Sequence, residues 1–396
     1  MSGSFHIGLI MQGGAGWMGG AEYIKNLAQA LASAAAAEPG TLRVSLIAGH
    51  PLEDGWRQEF STVEQIINVP GRRRGFLARW LRPANRVFAK ALRKHHFDFV
   101  FPFTYDNQHN LGVTFPLPLP QHRWSGWIPD FQHRHLPQLF SPEEIAKRDR
   151  GIAALAEQAA AIVFSSAACA EDYRRFCPSG KARAEVLRFC TSANAGWFAA
   201  DPIPVQAKYH LPDRFFLISN QLWQHKNHLL VVEALGLLAE KGVRPHVVCT
   251  GQMLDFRDKN HLNLVLQSLH ERGVASQVSL LGLIPRAEQI QLMRRCLAVI
   301  QPSLSEGWST VVEDARLLGK DLLLSDLEVH REQNPPGAKF FARSSAGSLA
   351  DALAEAWEHG LPGPDLPREG QARTEAAAAQ LAFGRNFLAI ARVTAA

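Results

Sequence analysis

Residues 301–333 read QPSLSEGWSTVVEDARLLGKDLLLSDLEVHREQ. The apolar run LAVIQPS leading into them is a strand that ends in a loop, and Glu306 and Gly307 sit in that loop at the strand's carboxyl end. Ser309 is an N-cap by residue type, residues 310–318 carry a helical pattern, and Gly319 is placed to end it. The backbone N–H groups of Trp308, Ser309, Thr310 and Val311 therefore lie at a helix start, where phosphate is favoured. Glu306, just before the turn, can accept hydrogen bonds from hydroxyls. Asp314 follows eight positions later, one turn into the helix, where a carboxylate can hold a ribose diol while the helix start holds phosphate.

Outward from this stretch, apolar strands alternate with helical patterns along the whole chain. In the first half the spacing predicts strands at 5–11, 42–48, 97–103, 124–128 and 161–165, with helices at 21–36, 76–93, 142–158 and 168–176. In the second half it predicts strands at 214–219, 245–250, 277–281, 297–301 and 321–324, with helices near 227–241, 259–273, 286–295, 309–318 and 347–358. Such alternation means parallel sheets covered on both faces. The length, 396 residues, calls for two domains. The break falls near 200–213, where ADPIPVQAKYHLPD carries three prolines and reads as a linker. The expectation is an α/β chain of two doubly wound, Rossmann-like domains, 1–203 and 204–374, whose strand carboxyl ends face a cleft.

Residues 12–23, QGGAGWMGGAEY, follow the first strand and place Gly14, Gly16 and Gly19 as G-x-G-x-x-G. A nicotinamide-dinucleotide site would also need an acidic residue at the tip of the second strand. That strand, LRVSLIAG, ends in Gly49 and His50, so the fingerprint lacks its partner. The loop is then either a tight turn packing a helix on a sheet or a glycine loop for another phosphate-bearing ligand.

Here the chain resembles the family-4 group of retaining glycosyltransferases, which have the GT-B fold. Their E-x7-E signature stands in the context P-S-x-x-E-G-[FW], followed by G-K-P and S-D. Pro302, Ser303, Glu306, Gly307, Trp308, Gly319, Lys320, Ser325 and Asp326 match in order. The second glutamate position is Asp314, giving E-x7-D, with Glu313 one place earlier as the alternative. GGAGWMGGAEYIKNLAQAL is similar to the family's N-terminal loop, which implies Gly19 and Gly20 near the donor diphosphate. FLISNQLWQHKNHLLVVEAL resembles the segment opening the second domain, and Lys226 matches the lysine that neutralises the diphosphate. An arginine is usual five residues earlier, where this chain has Gln221; that leaves one positive charge fewer, which His225 could offset. Gly251 in VVCTGQ matches a turn near the base. In WSGWIPDFQHRHLPQLF, residues 124–140, Pro129 stands where relatives carry histidine and Asp130 follows. The resemblance implies Asp130 and His133 at the acceptor or reacting sugar. The plainer reading is a loop aspartate capping a turn, with His133 and His135 at the surface. Val329, His330, Arg331, Glu332 and Gln333 match the end of an S-D-x-x-x-H-R-E stretch and read as packing under the donor site. The resemblance also implies that the terminal helix, 375–396, packs back on the first domain.

Hydrophobic content of 46% and charged content of 20% fit a soluble globular chain, and neither a membrane-length apolar run nor a signal-peptide pattern occurs. The five cysteines are scattered, with no C-x-x-C pair, so neither a zinc site nor a disulfide framework is suggested and a reducing cytoplasm is the simplest compartment. The net charge of +5 is uneven: RRRGFLARWLRPANRVFAKALRK, residues 72–94, has nine basic residues and no acidic one. Its apolar residues recur at roughly helical spacing around Pro83, which suits an anionic membrane surface at the inner face, or a surface helix pair packing on its own domain; nucleic acid is not favoured. No D-x-D metal motif occurs, so the expectation is no metal and no cofactor, the diphosphate being neutralised by Lys226, backbone N–H groups and helix dipoles. The expected partners are a nucleoside-diphosphate-sugar donor and a glycan or lipid-linked acceptor, as in assembly of a bacterial surface polysaccharide. The alternatives are a nucleotide-sugar epimerase on the same scaffold and a non-catalytic subunit that binds a nucleotide sugar or glycan.

Overall fold

The computed structural model describes residues 4–14, 17–52, 54–69, 84–106, 111 and 113–396. The chain divides into two compact units. One comprises residues 1–134, 141–192 and 378–396, the other 135–140 and 193–377.

The sheet of the first unit has seven strands: β1 (Phe5–Ile10), β2 (Leu42–Ala48), β3 (Gln65–Asn68), β4 (Phe99–Phe103), β5 (Trp124–Ile128), β6 (Ala161–Phe164) and β7 (Arg183–Val186). Their order is β3-β2-β1-β4-β5-β6-β7, parallel throughout. β4, β5 and β6 are buried along their whole length, as strands covered by helices on both faces must be. The second sheet has β8 (Phe216–Ser219), β9 (Val247–Thr250), β10 (Val278–Gly282), β11 (Val299–Gln301), β12 (Leu322–Ser325) and β13 (Ala338–Phe341). They lie in the order β10-β9-β8-β11-β12-β13, again all parallel. Strand order reverses between β1 and β4 in one sheet and between β8 and β11 in the other. These reversals are where open α/β sheets place ligands, outside the strand carboxyl ends.

Three strands escape the sequence pattern: β3, β7 and β13. All are sheet edges, four residues long and partly exposed, so no apolar run marks them. The stretch expected as a linker contains the short helix Ile203–Lys208 inside the second unit. There the buried Gln206 donates to the Pro212 carbonyl at 2.8 Å and accepts from Arg295 Nε at 2.6 Å. Prolines at both ends of the segment restrict its chain without preventing one turn of helix.

The terminal helix runs from Leu366 to Ala395, longer than the pattern predicts. Its first turn belongs to the second unit through a buried ion pair, Glu369 with Arg294 at 2.6 Å. Residues 378–396 belong to the first unit, where Phe383, Phe387 and Ala391 are buried. Gly384 permits this packing, since a Cβ there would stand 2.2 Å from the Ala30 carbonyl oxygen. Of the basic segment 72–94, residues 72–83 lie outside the described residues. The rest forms the helix Ala84–His95, with Phe88 and Leu92 in the first unit's core and Lys90, Arg93 and Lys94 exposed. Among the described residues no helix is long and apolar enough to cross a membrane.

Candidate active site

In the second unit the reversal of strand order lies between β8 and β11, and the loops leaving these strands are tied together. Asn220 donates its side-chain amide to Gln301 Oε1 at 2.7 Å. Gln301 is fully buried, and its Nε2 faces Glu306 Oε1 at 2.9 Å, Ser309 Oγ at 3.1 Å and Ser303 Oγ at 3.3 Å. The N–H of Leu304 donates to the His225 carbonyl at 2.8 Å, which draws the second loop onto the first. Lys226 Nζ consequently lies 2.5 Å from Glu306 Oε1, which also accepts from Ser303 Oγ at 2.7 Å. Burial alone would raise the Glu306 carboxyl. The Lys226 ammonium, with help from His330 and Ser303, outweighs burial and holds it below the usual carboxylate range. Asn227 follows Lys226 in the left-handed region, φ +58°, and so turns the short 3₁₀ turn Gln224–Lys226 into the helix His228–Glu240. Asparagine is among the few residues that adopt this conformation readily.

The helix Thr310–Leu317 starts at Ser309, whose hydroxyl caps the Val312 N–H at 3.4 Å. Gln333 clamps the same turn, accepting from Ser309 N–H at 3.2 Å and donating to the Ser309 carbonyl at 3.1 Å and Glu313 Oε1 at 3.0 Å. Trp308, Thr310 and Val311 stay partly exposed, and first-turn N–H groups have no partner within their own helix. Both candidate second carboxylates are buried and engaged. Burial raises Glu313 against the opposing pull of Arg316 and Gln333. Asp314 Oδ1 accepts from Arg286 Nη2 at 2.6 Å.

Gly251 has φ +123°, and a Cβ there would stand 2.4 Å from the Asn220 carbonyl oxygen, so it lets the β9 turn close on the backbone of Asn220 and Gln221. Gln221 is partly exposed beside it. Gly319 has φ +60° and ends the helix, and the buried Lys320 donates to the Cys296 carbonyl at 2.6 Å. Ser325 Oγ donates to the Ser303 carbonyl at 2.7 Å, and the fully buried His330 places Nδ1 2.9 Å from the Ser325 carbonyl. The segment after β12 thus supports the Glu306 loop from below.

In the first unit packing accounts for two glycines of the loop after β1, Gly13 and Gly20. Gly13 has φ +69°, and a Cβ on it would overlap the Trp17 carbonyl at 2.1 Å. Gly20 lies under the Trp17 ring, where a Cβ would come within 2.8 Å. Trp17, Trp127 and Tyr23 form a stack, with ring centroids 5.6 and 4.2 Å apart. Gly19 has no contact of that kind; a Cβ would meet only Trp17 Nε1 at 3.5 Å. Gly16 lies outside the described residues. Asp130 Oδ1 accepts from the Gln132 N–H at 3.0 Å, so it caps the turn after β5. His133 is not a surface residue: it is buried, and its Nε2 lies 3.1 Å from Asp149 Oδ1. Burial lowers its pKa and Asp149 opposes that shift. His135 is exposed.

Several members of these clusters carry no signal in the sequence. Gln301 reads there as the end of a strand. Arg148 and Asp149 fall within the expected helix 142–158 with no role read for them, yet Arg148 lies 5.3 Å from the Tyr105 ring and Asp149 pairs with His133 and Arg134. His225, expected from the sequence as a cation that could offset Gln221, is instead buried with His228 and His261 beside Lys226, where burial disfavours its charged form. Neither ring nitrogen of His228 or His261 has a hydrogen-bond partner among the described residues. Burial, then nearby cations, push His225 well below its ordinary value; burial, with His261 and Lys226, pushes His228 down to about 3.

Comparison with known proteins identifies the fold. Residues 204–373 match the family Glycosyl transferases group 1. No curated protein sequence matches the chain significantly. Among solved structures, HepE of Anabaena in complex with UDP and glucose is similar at TM-score 0.67 and 17% identity, over 98% of this chain and 99% of that one. Sucrose-phosphate synthase of Thermosynechococcus elongatus is similar at TM-score 0.67 and 16% identity, over 98% of each chain. WaaG, a glycosyltransferase involved in lipopolysaccharide biosynthesis, is similar at TM-score 0.58 and 14% identity, over 96% of this chain and 95% of that one. The chain therefore has the GT-B fold of two Rossmann-like units, and its second unit carries the match to Glycosyl transferases group 1.

Proposed function

We propose that the protein transfers a sugar from a nucleoside-diphosphate donor to a hydroxyl of a glycan or lipid-linked acceptor, with retention of configuration. The observation that carries this reading is the Lys226–Glu306 pair, 2.5 Å apart at the carboxyl ends of β8 and β11 and beside the helix start at Ser309, within the segment that matches Glycosyl transferases group 1. In this reading Lys226 and the N–H groups of Thr310 and Val311 beside Trp308 bind the diphosphate, the Ser309 N–H being taken by Gln333, and Glu306 accepts from sugar hydroxyls. Asp314, with Glu313 as the alternative, stands on the ribose side, and the Gly251 turn lies near the base. In the first unit Gly19 and Asp130 are assigned to the phosphates and the acceptor, while Gly20 and His133 are buried against Trp17 and Asp149 and hold their loops in place.

In the transfer, the bond from the anomeric carbon to the phosphate oxygen breaks and the diphosphate leaves with the electron pair. The acceptor oxygen bonds to the same carbon, and its proton passes to a phosphate oxygen. The protein's share is electrostatic: cations and backbone dipoles fixed where negative charge develops on the leaving group. No step calls for a metal. A lipid-linked acceptor at the inner membrane face, in surface-polysaccharide assembly, fits the basic segment 72–94. Liposome binding that is insensitive to neutralising Arg72, Arg73, Arg74 and Arg79 would count against it.

The test is calorimetric titration with UDP-, GDP- and dTDP-sugars and the free diphosphates, with EDTA present. The uridine class comes first because the HepE structure holds UDP and glucose. Lys226→Ala should weaken diphosphate binding about 10- to 100-fold, the range for one charge-assisted contact. Glu306→Ala should erase the preference between sugar-bearing and free diphosphate. A folded protein that binds none of them sinks the reading; donor binding without turnover over an acceptor panel favours the non-catalytic subunit.

A further inference from the structure

The second carboxylate position of the site is occluded. Asp314 has 1% of its side chain exposed, whereas the Arg286 side chain paired with it at 2.6 Å is 27% exposed. What this position presents to a ligand is a guanidinium. Arg286 opens the helix Arg286–Arg295, and three contacts fix its orientation. Nη2 donates to Asp314 Oδ1, Nη1 donates to Gln289 Oε1 at 3.0 Å, and the guanidinium lies 5.4 Å from the Trp197 ring. Gln289 in turn donates to Ser219 Oγ, on the last residue of β8. The guanidinium is therefore anchored both to the end of β8, two residues before Gln221, and to the helix whose first turn begins at Ser309.

We infer that Arg286 is the second cation of the donor site, contacting the ribose–phosphate segment of a nucleoside diphosphate, and that Asp314 is its positioning residue rather than the group that accepts the ribose hydroxyls. The inference rests on the donor-site reading above. A planar guanidinium held by a carboxylate is suited to phosphate oxygens, with donors in a fixed fork that an ammonium lacks. It also accounts for a neutral Gln221 in this chain: the second positive charge enters the site from the β10 side, while Lys226 supplies the first from the segment after β8.

The experiment is calorimetry on the full chain with UDP, GDP, dTDP and ADP, and with the matching nucleosides, for wild type, Lys226→Ala, Arg286→Gln, Arg286→Lys, Asp314→Asn and the double variant R286Q/D314N. Arg286→Gln should weaken the bound diphosphate about 10- to 100-fold and change nucleoside affinity less than about twofold, with Arg286→Lys in between. Asp314→Asn should weaken the diphosphate more than the nucleoside, and the double variant should be no weaker than Arg286→Gln alone. Diphosphate binding that falls in Lys226→Ala but stays within twofold in Arg286→Gln overturns this inference and leaves the donor site standing. So does a loss in Asp314→Asn that is equal for nucleoside and diphosphate. Wild-type protein that binds none of the four diphosphates overturns the donor site and the inference together. Should the buried Asp314→Asn fail to fold, the partly exposed Arg286 variants still decide.

Discussion

The loop after β1 in the first unit and the loops after β8 and β11 in the second lie at the same topological place, the point where strand order reverses. They are built from opposite materials. The first depends on missing atoms: Gly13 for a positive φ, Gly20 for the Trp17 ring lying across it. The second depends on polar atoms that must be paired: Gln301 gathers Asn220, Ser303, Glu306 and Ser309 around one amide. A glycine answers to backbone conformation, to packing or to a ligand's approach, and its letter is the same in each case. A buried polar cluster is costly unless every member is satisfied. The polar loops therefore carry specific chemical information, and Gly13 and Gly20 are explained by backbone conformation and packing before any ligand is invoked.

That contrast can be broken first at Glu306. If the polar loops carry the chemistry, Glu306→Gln should lower kcat for sugar transfer on the order of 10²–10³-fold while the protein still folds. A steady-state transfer assay beside circular dichroism checks this. Turnover near wild type would move the chemistry elsewhere.

The second largest effect is expected in acid. His228 is neutral in the fold, with its pKa pushed down to about 3, while an unfolded histidine titrates near its ordinary value of 6.5. Between these values the unfolded chain binds the extra proton, so stability is complete above pH 6.5 and falls as pH drops toward 3. At pH 4.5 this one group costs about 2–3 kcal/mol, and His225, shifted in the same direction, adds to it. Urea midpoints at pH 7.5, 5.5 and 4.5 should decline in wild type and less steeply in His228→Gln. Parallel curves would show that the histidines beneath Lys226 are not the acid-sensitive element.

Gln301 tests whether the polar cluster acts as a unit. Gln301→Leu keeps much of the volume and removes the amide that joins β8 to β11. The expected cost is about 1–3 kcal/mol of stability, the penalty for buried partners left unpaired. A kcat loss of about tenfold should accompany it, because Glu306 loses one of the donors that fix it. Full stability with wild-type kcat would mean that Ser303 and Lys226 suffice.

The same physics decides how much was legible in the sequence. β2 and β5 match their expected limits because four or more apolar or small residues in a row leave little alternative to a buried strand. The helix Pro142–Gln158 matches because Ser141 caps it, Pro142 opens it, and Glu143 and Glu144 fill its first turn. β3, β7 and β13 were invisible because an edge strand need not be apolar on both faces. At the site, Glu306 was legible from its place in the loop before a helix start, whereas Lys226 was named through the resemblance, since nothing local links residues so far apart in the chain. Arg286 was missed for that reason too: as the first residue of a helix it looks solvated until Asp314 is brought beside it. Asp314 reads as an available carboxylate only while its burial is unknown.

The smallest effects separate two neighbouring glycines. Gly20→Ala would set a methyl 2.8 Å from ring atoms of Trp17, which stacks on Trp127, so a loss of about 1–3 kcal/mol in the first unit is expected. Gly19→Ala meets only ordinary contact, and its stability should stay within about 0.5 kcal/mol of wild type. Gly19 is therefore the one glycine of the pair at which packing and ligand approach can be told apart. If the loop meets the donor phosphates, the added methyl should raise the KM for donor while the unfolding midpoint stays fixed, since close backbone approach is what a side chain obstructs. If Gly19→Ala leaves both unchanged, this glycine is not a point of close ligand approach.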